Sequence, residues 1–521
     1  MRRNVQPDLF RTPYAYHREV NAMFLKNLYA TLYLFWQNTN ARYGALINFL
    51  LFALLLGIVV TALARAFLSG LTHRKPRPIK QPVPDAALTE RAAAALSQAI
   101  RFRTVTGERA ELDRMIAWLK KEYADVFSHM SCLFLPSGSM MLRWRAAGKA
   151  ELKPVMFTGH LDVVPEGEGW SREPFAGKRE GGLVWGRGAL DCKGAVIAQL
   201  EAVRELLREG YTPRRDIYFA YGHDEETGGA DGAAAIAELL QKRGVEFELV
   251  LDEGGVITKG HLQSRLHPAA VIGVGEKGEC NLRLVATGRT GHAAQPPRHT
   301  AVGILAEAVC RIEAMPRRRR IIPAVSRFLR LSAPAMHFGQ RFWVSNMPFF
   351  KGMVYRAFAR DDATSALFSS TFAATQARGA VAAEQLPATA EATVHVCLLQ
   401  GDTAQSALAQ VREVVSDLPV RVELLPGGCD PSPVADLQAP LCAALCNTIT
   451  DRFAHLPCIP TVLAGSMDAR HYAPLADQVL RFMPIVASNK AYAAMHGPDE
   501  YIRESSLGAA AELYAAFLKK I

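Results

Sequence analysis

Histidine and acidic residues recur in five short blocks along this 521-residue chain, and each block stands next to glycine turns. The blocks are FTGHLDVVP, GALDCKG, GHDEETGG, VLDEGG and MHGPDE. Each lies where a predicted strand ends. Imidazole nitrogens and carboxylate oxygens are the ligands that zinc and similar divalent cations prefer in proteins. Together the blocks therefore predict a site for a pair of divalent metal ions.

Five side chains in these blocks are candidate metal ligands. His160 and Asp252 are the candidate ligands of one ion, and Glu226 and His496 are those of the other. Two ions a few ångströms apart need a carboxylate that binds both of them, and Asp191 is the candidate for this bridge. The site must also leave an open position for water if it is to hydrolyse a substrate.

Two further carboxylates have predicted roles beside the metals. Glu225 precedes Glu226, and neighbouring side chains that leave a strand end point in different directions, so Glu225 can act as general base on the attacking water. Asp162 follows His160 by two residues and shares its face of an extended segment. It is expected to accept the second imidazole N–H and fix the tautomer. Any single block is more typical of a solvated loop, so the prediction depends on the order of all five.

The blocks lie among alternating predicted strands and helices. VMFTGHLDVV, IYFAYG and FELVLDEGG are apolar runs typical of strands, whereas GAVIAQLEAVRELLREG and DGAAAIAELLQKRG have amphipathic helical periodicity. This alternation predicts an α/β fold, a mixed sheet flanked by helices on both faces. Sites in such sheets gather at the carboxyl ends of strands, where the blocks are. We predict a catalytic domain in two parts, residues 85–281 and 429–521.

Between these two parts, residues 282–428 predict the order β-α-β-β-α-β, an inserted α+β module of ferredoxin-like type. A basic, aromatic stretch from Arg317 to Arg360 interrupts it. This stretch contains Phe338, Phe342, Trp343 and Phe349. These rings favour a hydrophobic acyl group or side chain in the substrate, and core packing explains them nearly as well.

The N-terminal region predicts a membrane anchor. Residues 45–64, ALINFLLFALLLGIVVTALA, carry no charge and match the roughly 20 residues that a bilayer core requires. We predict an N-terminal segment at 1–44, one transmembrane helix at 45–64 and a linker at 65–84. Charges next to the span favour a cytoplasmic C-terminal side, but arginines further upstream balance the two sides. We expect a single-pass protein with an extracytoplasmic catalytic domain, the cytoplasmic face being the alternative.

Composition argues against other classes of function. The formal net charge of +10 is modest for this length, and no nucleic-acid motif or interleaving of basic and aromatic residues indicates a nucleic-acid partner. Nine scattered cysteines without a CxxC pair argue against a disulfide framework and against a thiolate zinc site.

The blocks GHLDVVP, GRGALDCKG, DEETGG and HGPDE closely resemble the signatures of the co-catalytic zinc metallopeptidases, which include carboxypeptidase S, glutamate carboxypeptidase and aminoacylase. The resemblance runs from about residue 85 to the C-terminus. LSAPAMHFGQRFW and LLQGDT, with the predicted anchor, make it closest to carboxypeptidase S and the secreted N-acyl amino acid hydrolases.

This resemblance implies two metal ions, usually zinc, with the ligand roles given above. It also implies a cis peptide bond after Asp191 and a lid module through which many members form homodimers. In the family the histidine of a block such as GRTGH, here His292, stabilises the oxyanion, often across the dimer. The alternative for His292 is a solvated loop histidine.

Two lid positions depart from the family pattern. AAEQLP has Glu384 where an asparagine is usual, and TVHVCLL has Cys397 where an arginine is usual. Because those residues grip the carbonyl and carboxylate of the substrate in the family, recognition of an ordinary C-terminal carboxylate is in question here. The candidate replacement cations are Arg289, Arg298 and the run Arg317–Arg320.

From these features we expect a membrane-anchored, zinc-dependent hydrolase of amide bonds in peptides or N-acyl amino acids. A water bridging the two metals attacks the carbonyl, and Glu225 moves its proton to the leaving amine. One alternative is a non-catalytic metal-binding protein of the same fold, which the two lid departures favour and the intact Glu225 argues against. Another is a metal-dependent deacylase of a small cytoplasmic metabolite.

Overall fold

The computed structural model describes residues 13–71, 82–148, 151–258, 268–358, 362–380, 382–454 and 456–521. The first twelve residues of the predicted N-terminal segment, and residues 72–81 of the predicted linker, lie outside this range. The chain divides into two compact units, Met1–Ser69 and Gly70–Ile521.

The described residues form sixteen α-helices. They are α1 Pro13–Leu71, α2 Ala86–Ile100, α3 Arg109–Glu122, α4 Ala124–Ser128, α5 Lys193–Arg208, α6 Ala233–Lys242, α7 Ala301–Glu313, α8 Pro323–Ser332, α9 Phe338–Ser345, α10 Met347–Phe358, α11 Asp362–Ala366, α12 Ala404–Val414, α13 Pro440–Arg452, α14 Ala469–Tyr472, α15 Asn489–Ala493 and α16 Glu504–Leu518.

Seventeen strands accompany them within the same described residues. They are β1 Ser131–Phe134, β2 Met140–Trp144, β3 Val155–His160, β4 Lys178–Glu180, β5 Leu183–Trp185, β6 Ile217–Gly222, β7 Phe247–Thr258, β8 Ala269–Glu276, β9 Gly278–Thr287, β10 Gly291–His292, β11 Thr371–Arg378, β12 Gln385–Leu386, β13 Thr389–Leu398, β14 Val420–Leu424, β15 Cys458–Leu463, β16 Ala476–Ala487 and β17 Tyr501–Arg503.

The first unit is built on helix α1. Its stretch Gly44–Leu71 is 28 residues long and, by length and composition alone, apolar enough to cross a membrane. This stretch contains the residues 45–64 that the sequence predicts as a span. A helix rises about 1.5 Å per residue, so the predicted span alone matches the roughly 30 Å of a bilayer core.

The larger unit is organised around an eight-stranded mixed sheet with the order β1-β2-β6-β3-β7-β16-β8-β15. Its central neighbours β6, β3, β7 and β16 are parallel. Strands β15 and β16 come from the C-terminal part of the chain, so sequence on both sides of the inserted module builds one sheet. The predicted α/β fold with a mixed sheet is confirmed.

Alternating side chains give this sheet two apolar faces. In β3 and β6, Phe157 and Phe219 pack with the helices α2, α5 and α16 on one face. Met156 and Tyr218, one residue earlier, pack with α6 and α14 on the other face. Because side chains of a strand alternate between faces, both positions must be apolar when both faces are covered. The sequences of β3 and β6 are therefore almost continuously apolar and do not alternate between apolar and polar residues.

A second, four-stranded antiparallel sheet has the order β11-β13-β9-β14. Alternate residues of β13 are buried against α7 and α12, which cover one face of this sheet. Along the chain these elements follow as strand β9, helix α7, strands β11 and β13, helix α12 and strand β14. Helices α8, α9 and α10 are inserted before β11, and their buried side chains join the core of the eight-stranded sheet.

Candidate metal centre

The carboxyl ends of parallel strands bring the predicted ligands to one edge of the main sheet. His160 is the last residue of β3 and stands opposite Gly222, the last residue of β6. The turn after β6 carries Glu225 and Glu226, and the neighbouring strand β7 contains VLDEGG. Residues that are distant in sequence therefore converge, as expected for an open sheet of this topology.

Asp191 lies between two imidazoles. Its Oδ1 is 3.1 Å from His160 Nε2, and its Oδ2 is 3.1 Å from His496 Nε2. His496 Nε2 is also 3.3 Å from Glu226 Oε2. One carboxylate facing an imidazole with each oxygen is the arrangement of a bridging ligand. The peptide bond that follows Asp191 is cis, as the resemblance implies.

Glu253, which is not among the ligands predicted from the sequence, lies beside His160, where Asp252 was expected. Its Oε1 lies 3.1 Å from His160 Nε2. The carboxylate of the predicted ligand Asp252 instead accepts the backbone N–H groups of Glu253 and Ala469, both at 2.8 Å. Neighbouring residues of a strand point to opposite faces, so only one of the two can face the histidine. The structure brings Glu253 to that face.

Asp162 connects His160 to the turn that carries the two glutamates. Its backbone carbonyl and its Oδ1 lie 2.9 and 3.3 Å from His160 Nδ1. The same carboxylate accepts the backbone N–H groups of Glu225 and Glu226, both at 3.3 Å, and the hydroxyl of Thr106 at 2.7 Å. Asp162 can thus orient the imidazole and hold Glu225 at a fixed distance from it.

Glu500 holds the loop that ends in the bridging aspartate. Its carboxylate is fully buried and accepts four hydrogen bonds. They come from Arg187 Nη1 at 2.8 Å and from the backbone N–H groups of Gly188, Leu190 and Asp191 at 3.1, 2.7 and 3.2 Å. Glu500 belongs to the same HGPDE block as His496. It therefore ties the segment of one imidazole ligand to the loop of the bridging carboxylate.

Burial and neighbouring charges change the proton affinities of the clustered groups. Burial, with Glu253 and other carboxylates near, raises the pKa of Glu225 to about 10. Burial next to Glu253 raises the pKa of Asp252 to about 7. Hydrogen bonds to Asp191 and Glu226 raise the pKa of His496 to about 10. Such a cluster holds an excess of negative charge that cations would balance.

The donor set fits a pair of divalent cations. Two imidazoles and three carboxylates face one another, and the nitrogen or oxygen atoms of His160, Asp191 and Glu226 lie within 4.8 Å of each other. Glu226 Oε1 and Glu253 Oε2 are buried and have no hydrogen-bond partner among the described residues. Buried carboxylate oxygens without partners are costly unless a cation binds them. The residues therefore suit zinc or a similar ion.

The residues with predicted lid roles lie apart from this cluster. His292 is on β10, exposed, and its Nδ1 accepts the backbone N–H of Ala294 at 3.1 Å. Within the described part of the chain, no contact joins it to the candidate ligands. Glu384 also belongs to this region, where its carbonyl accepts the N–H of Ala293 at 2.8 Å. The half-buried Cys397 lies on β13 of the four-stranded sheet.

The candidate replacement cations differ in their surroundings. Arg289 and Arg298 are exposed. Arg320 pairs with Asp402 at 2.8 Å, and Arg317 donates to Ser365 at 3.3 Å. None of these contacts directs a guanidinium towards the metal cluster.

Arg470, in the block AGSMDARHYAP, lines a cavity beside the candidate metal centre. The cavity has a volume of about 500 Å³. Gly228 also lines it, and the N–H of Gly228 donates to the carbonyl of Glu225 at 2.8 Å. Arg470 donates to the Gly228 carbonyl at 2.7 Å and lies 3.3 Å from the partly exposed Glu279. The Arg470 guanidinium therefore lies against the turn that carries Glu225.

Asp468, two residues before Arg470, explains why two positions of the site are occupied by glycine. A Cβ at Gly222 would lie 2.5 Å from Asp468 Oδ2, and one at Gly229 would lie 2.2 Å from Oδ1. Gly229 also has a φ of +66°, which favours glycine. Burial, with Asp252 near, raises the pKa of Asp468 well above its usual range. The glycine turns of the sequence motifs thus make room for a further carboxylate.

The fold and this cluster define a class of metallohydrolases, and comparison with known proteins identifies it. The chain belongs to the peptidase family M20/M25/M40, whose family model matches residues 156–520. It is a metallohydrolase.

Its relatives include two named enzymes that match most of its length. It is 32% identical over 494 residues, 92% of this chain and 96% of the relative, to an N-fatty-acyl-amino acid synthase/hydrolase of Xenopus tropicalis. It is 30% identical over 442 residues, 81% of this chain and 84% of the relative, to a probable carboxypeptidase S-like protein of Dictyostelium discoideum. The predicted family and subgroup are confirmed.

Solved structures share the fold at low sequence identity. The metallo-carboxypeptidase Sso-CP2 of Sulfolobus solfataricus, described as an M20 family member, has a TM-score of 0.60 and 16% identity over 82% of this chain and 98% of its own. A Bacillus subtilis protein described as a dinuclear metal binding peptidase has a TM-score of 0.53 and 12% identity over 83% of this chain and 98% of its own. At this identity the likeness shows the fold alone.

Replacing Glu500 is expected to weaken metal binding, although Glu500 is not one of the proposed metal ligands. In Glu500→Gln the amide group loses acceptor capacity, so backbone N–H groups and the buried Arg187 lose a partner. Breaking a buried pair in this way costs about 3–5 kcal/mol. We expect a lower thermal midpoint and reduced metal content, measured on the full chain in detergent. Glu504→Gln, in a more exposed pair with Arg179 at 2.8 Å, is the matched control and should change both quantities little. Unchanged metal content in Glu500→Gln would contradict the positioning role.

Metal binding is expected to release protons at neutral pH. In the metal-free protein His496 and Glu225, with pKa values of about 10, hold protons at pH 7. A ligating imidazole must be neutral, so binding displaces its proton and tightens as pH rises towards 10. For each proton released, affinity should increase about tenfold per pH unit. Titration of the metal-free protein with zinc in weak buffer, followed with a pH indicator, measures this release. A release that is the same in His496→Ala would contradict the assignment.

Proposed function

We propose that this chain is a membrane-anchored hydrolase of amide bonds. Its proposed substrates are N-acyl amino acids or peptides with a free carboxylate. It uses two divalent metal ions, of which zinc fits the ligands best. The observation that carries the proposal is Asp191 between two imidazoles, with Glu225 beside them. Relatives named as N-fatty-acyl-amino acid synthase/hydrolase and carboxypeptidase S-like support this substrate range. The apolar stretch Gly44–Leu71 supports a single-pass anchor. The proposal also places the catalytic domain on the extracytoplasmic side.

The proposed ligand set differs from the sequence prediction at one position. His160 and Glu253 would hold one ion, His496 and Glu226 the other, and Asp191 would bind both. When bound, the two ions polarise the substrate carbonyl and lower the pKa of the attacking water. Asp162 keeps the His160 ring oriented, and Asp252 serves as an acceptor for two backbone N–H groups.

Glu225 is the proposed general base and then the general acid. Its high pKa in the metal-free site follows from burial among carboxylates, and two cations nearby would lower it, so that Glu225 is ionised when the enzyme is loaded. It accepts a proton from water as the oxygen attacks the carbonyl carbon. It then gives that proton to the amide nitrogen as the C–N bond breaks, which yields a carboxylic acid and an amine. At neutral pH the acid's proton passes to the amine, which leaves a carboxylate and an ammonium group.

Arg470 is the proposed contact for the substrate carboxylate. Cys397 cannot supply the charge that an arginine at its position would, whereas Arg470 lines the cavity of about 500 Å³ next to the Glu225 turn. A guanidinium can bind a carboxylate through two parallel hydrogen bonds. His292 is proposed to stabilise the oxyanion from the partner chain of a homodimer formed through the module of β9, β11, β13 and β14. Its exposure on β10 is compatible with that role.

Glu225→Gln tests the reaction. Loss of a general acid–base is expected to lower kcat by about 10²–10⁴-fold, while metal content stays unchanged. The assay uses the full chain in detergent with added zinc and a panel of N-acyl amino acids, their methyl esters and dipeptides. Esters should be poorer substrates if Arg470 binds a carboxylate. Glu238→Gln, on the exposed side of α6, is the control. Turnover that survives both Glu225→Gln and chelation would refute the mechanism.

Paired substitutions distinguish the two candidates for the last ligand. Glu253→Gln should lower the metal content from two ions towards one, because a neutral amide is a poor ligand. Asp252→Asn should retain both ions and lose about 1–3 kcal/mol of stability, since one buried N–H loses its acceptor. Elemental analysis and thermal unfolding of the full chain measure both effects. Loss of metal in Asp252→Asn with retention in Glu253→Gln would restore Asp252 as the ligand.

A further inference from the structure

The segment 314–360 has an unusual charge composition. It contains no aspartate or glutamate, although 50 of the 521 residues of the chain are acidic. It also contains ten basic residues, which are Arg317, Arg318, Arg319, Arg320, Arg327, Arg330, Arg341, Lys351, Arg356 and Arg360. A solvated face normally mixes both signs of charge, so this segment carries a strong local positive potential.

One side of this segment packs into the protein. Helices α8, α9 and α10 bury Phe328, Leu329, Val344, Met347 and Val354 in the core shared with the eight-stranded sheet. Core packing therefore accounts for these apolar residues. It does not account for the apolar residues on the opposite side of the same helices.

The opposite side exposes large apolar side chains. Phe349 is 76% exposed, Phe338 50% and Leu331 45%. Phe338 lies against the partly buried Phe342, with ring centroids 6.4 Å apart. Phe342 in turn contacts Trp343, at 5.0 Å. Aromatic rings that are neither buried nor isolated usually mark a contact surface.

Unpaired cations accompany these rings. Arg330, Lys351 and Arg356 are exposed, and none of them forms an ion pair with another residue that the structure describes. We call the exposed side of α8–α10, defined by these three cations with Leu331, Phe338 and Phe349, the basic aromatic face. Rings flanked by lysine and arginine are typical of surfaces that lie in the interface of an anionic bilayer.

We propose that the basic aromatic face docks on the surface of an anionic lipid bilayer. The proposal rests on the proposed membrane anchor. Only the 14 residues 72–85 separate the end of α1 from the start of α2. Even fully extended, they span at most about 50 Å, at 3.3–3.6 Å per residue. The anchor would therefore keep this domain near the membrane.

Because the tether is short, weak contacts with the bilayer are sufficient for docking. Each Lys or Arg near an anionic membrane contributes about 1 kcal/mol, and partial insertion of aromatic rings adds to this. Alone, three cations and two rings would bind a bilayer only transiently. Held by a short tether, the face meets the bilayer at a high effective concentration, so docking becomes an intramolecular step.

Hydrogen exchange of the full chain in lipid nanodiscs tests the docking. Discs of neutral phosphatidylcholine are compared with discs that contain about one third phosphatidylglycerol. We expect amides of residues 338–356 to exchange at least several-fold more slowly in the anionic discs. The variant Arg330→Glu/Lys351→Glu/Arg356→Glu should lose this protection. A second variant, Leu331→Asp, should weaken it without changing three charges.

The matched control is Arg145→Glu/Arg214→Glu/Arg243→Glu, which reverses three exposed cations elsewhere in the same unit. It should retain the protection. Equal exchange in both discs, or protection that the Arg330 variant keeps, would overturn the proposal. Protection that appears only when a disc holds two chains would indicate that the face binds a second copy of the chain, and this result would also overturn the proposal.

The result separates docking from anchoring. Co-elution of the chain with either type of disc reports the α1 span alone. A chain that co-elutes but exchanges freely at residues 338–356 overturns docking and leaves the anchor intact. A chain that co-elutes with neither disc overturns both. None of these substitutions involves the metal centre, so amide hydrolysis of a soluble substrate in detergent should stay at the wild-type level and confirm that each variant is folded.

Discussion

Electrostatic repulsion among buried carboxylates is the constraint on which the site depends. Asp191, Glu226 and Glu253 converge on two imidazoles at one edge of the mixed sheet, with the half-buried Glu225 and the buried Asp468 close to them. In the metal-free site protons offset part of this charge, as the raised pKa values of Glu225 and His496 indicate, whereas divalent cations would replace those protons and also bind the carboxylate oxygens that have no hydrogen-bond partner among the described residues. The same excess of negative charge that makes the metal-free cluster unfavourable makes it a strong cation site.

A rigid scaffold has to oppose that repulsion. Asp162 fixes the Glu225 turn, and Glu500 fixes the loop of Asp191, each through several hydrogen bonds from backbone N–H groups. Both anchors are carboxylates that bind no cation in the proposed mechanism. Two acidic groups of the region thus serve to position the others. Glu384 and Cys397 lie apart from the cluster, near β10 and on β13, so their departures from the family pattern leave it intact.

The proposed membrane anchor and the proposed docking of the basic aromatic face both concern how the enzyme reaches its substrate. An N-acyl amino acid with a long acyl chain is an amphiphile, and it concentrates at the surface of a bilayer. An enzyme with a single apolar helix and a basic aromatic face would meet such a substrate where it accumulates.

The sequence by itself determined the family, the mixed α/β sheet and four of the side chains that meet at the site, His160, Asp191, Glu226 and His496. These follow from local patterns, since apolar runs end at glycine turns and metal ions accept few ligand types. The tertiary structure decided between Asp252 and Glu253, because adjacent residues look alike in sequence and only the twist and pairing of β7 fix which one faces His160. It also decided the contacts of Glu500 and Arg470. Their partners lie some 310 and 242 residues away along the chain, and no local pattern encodes contacts that only packing creates.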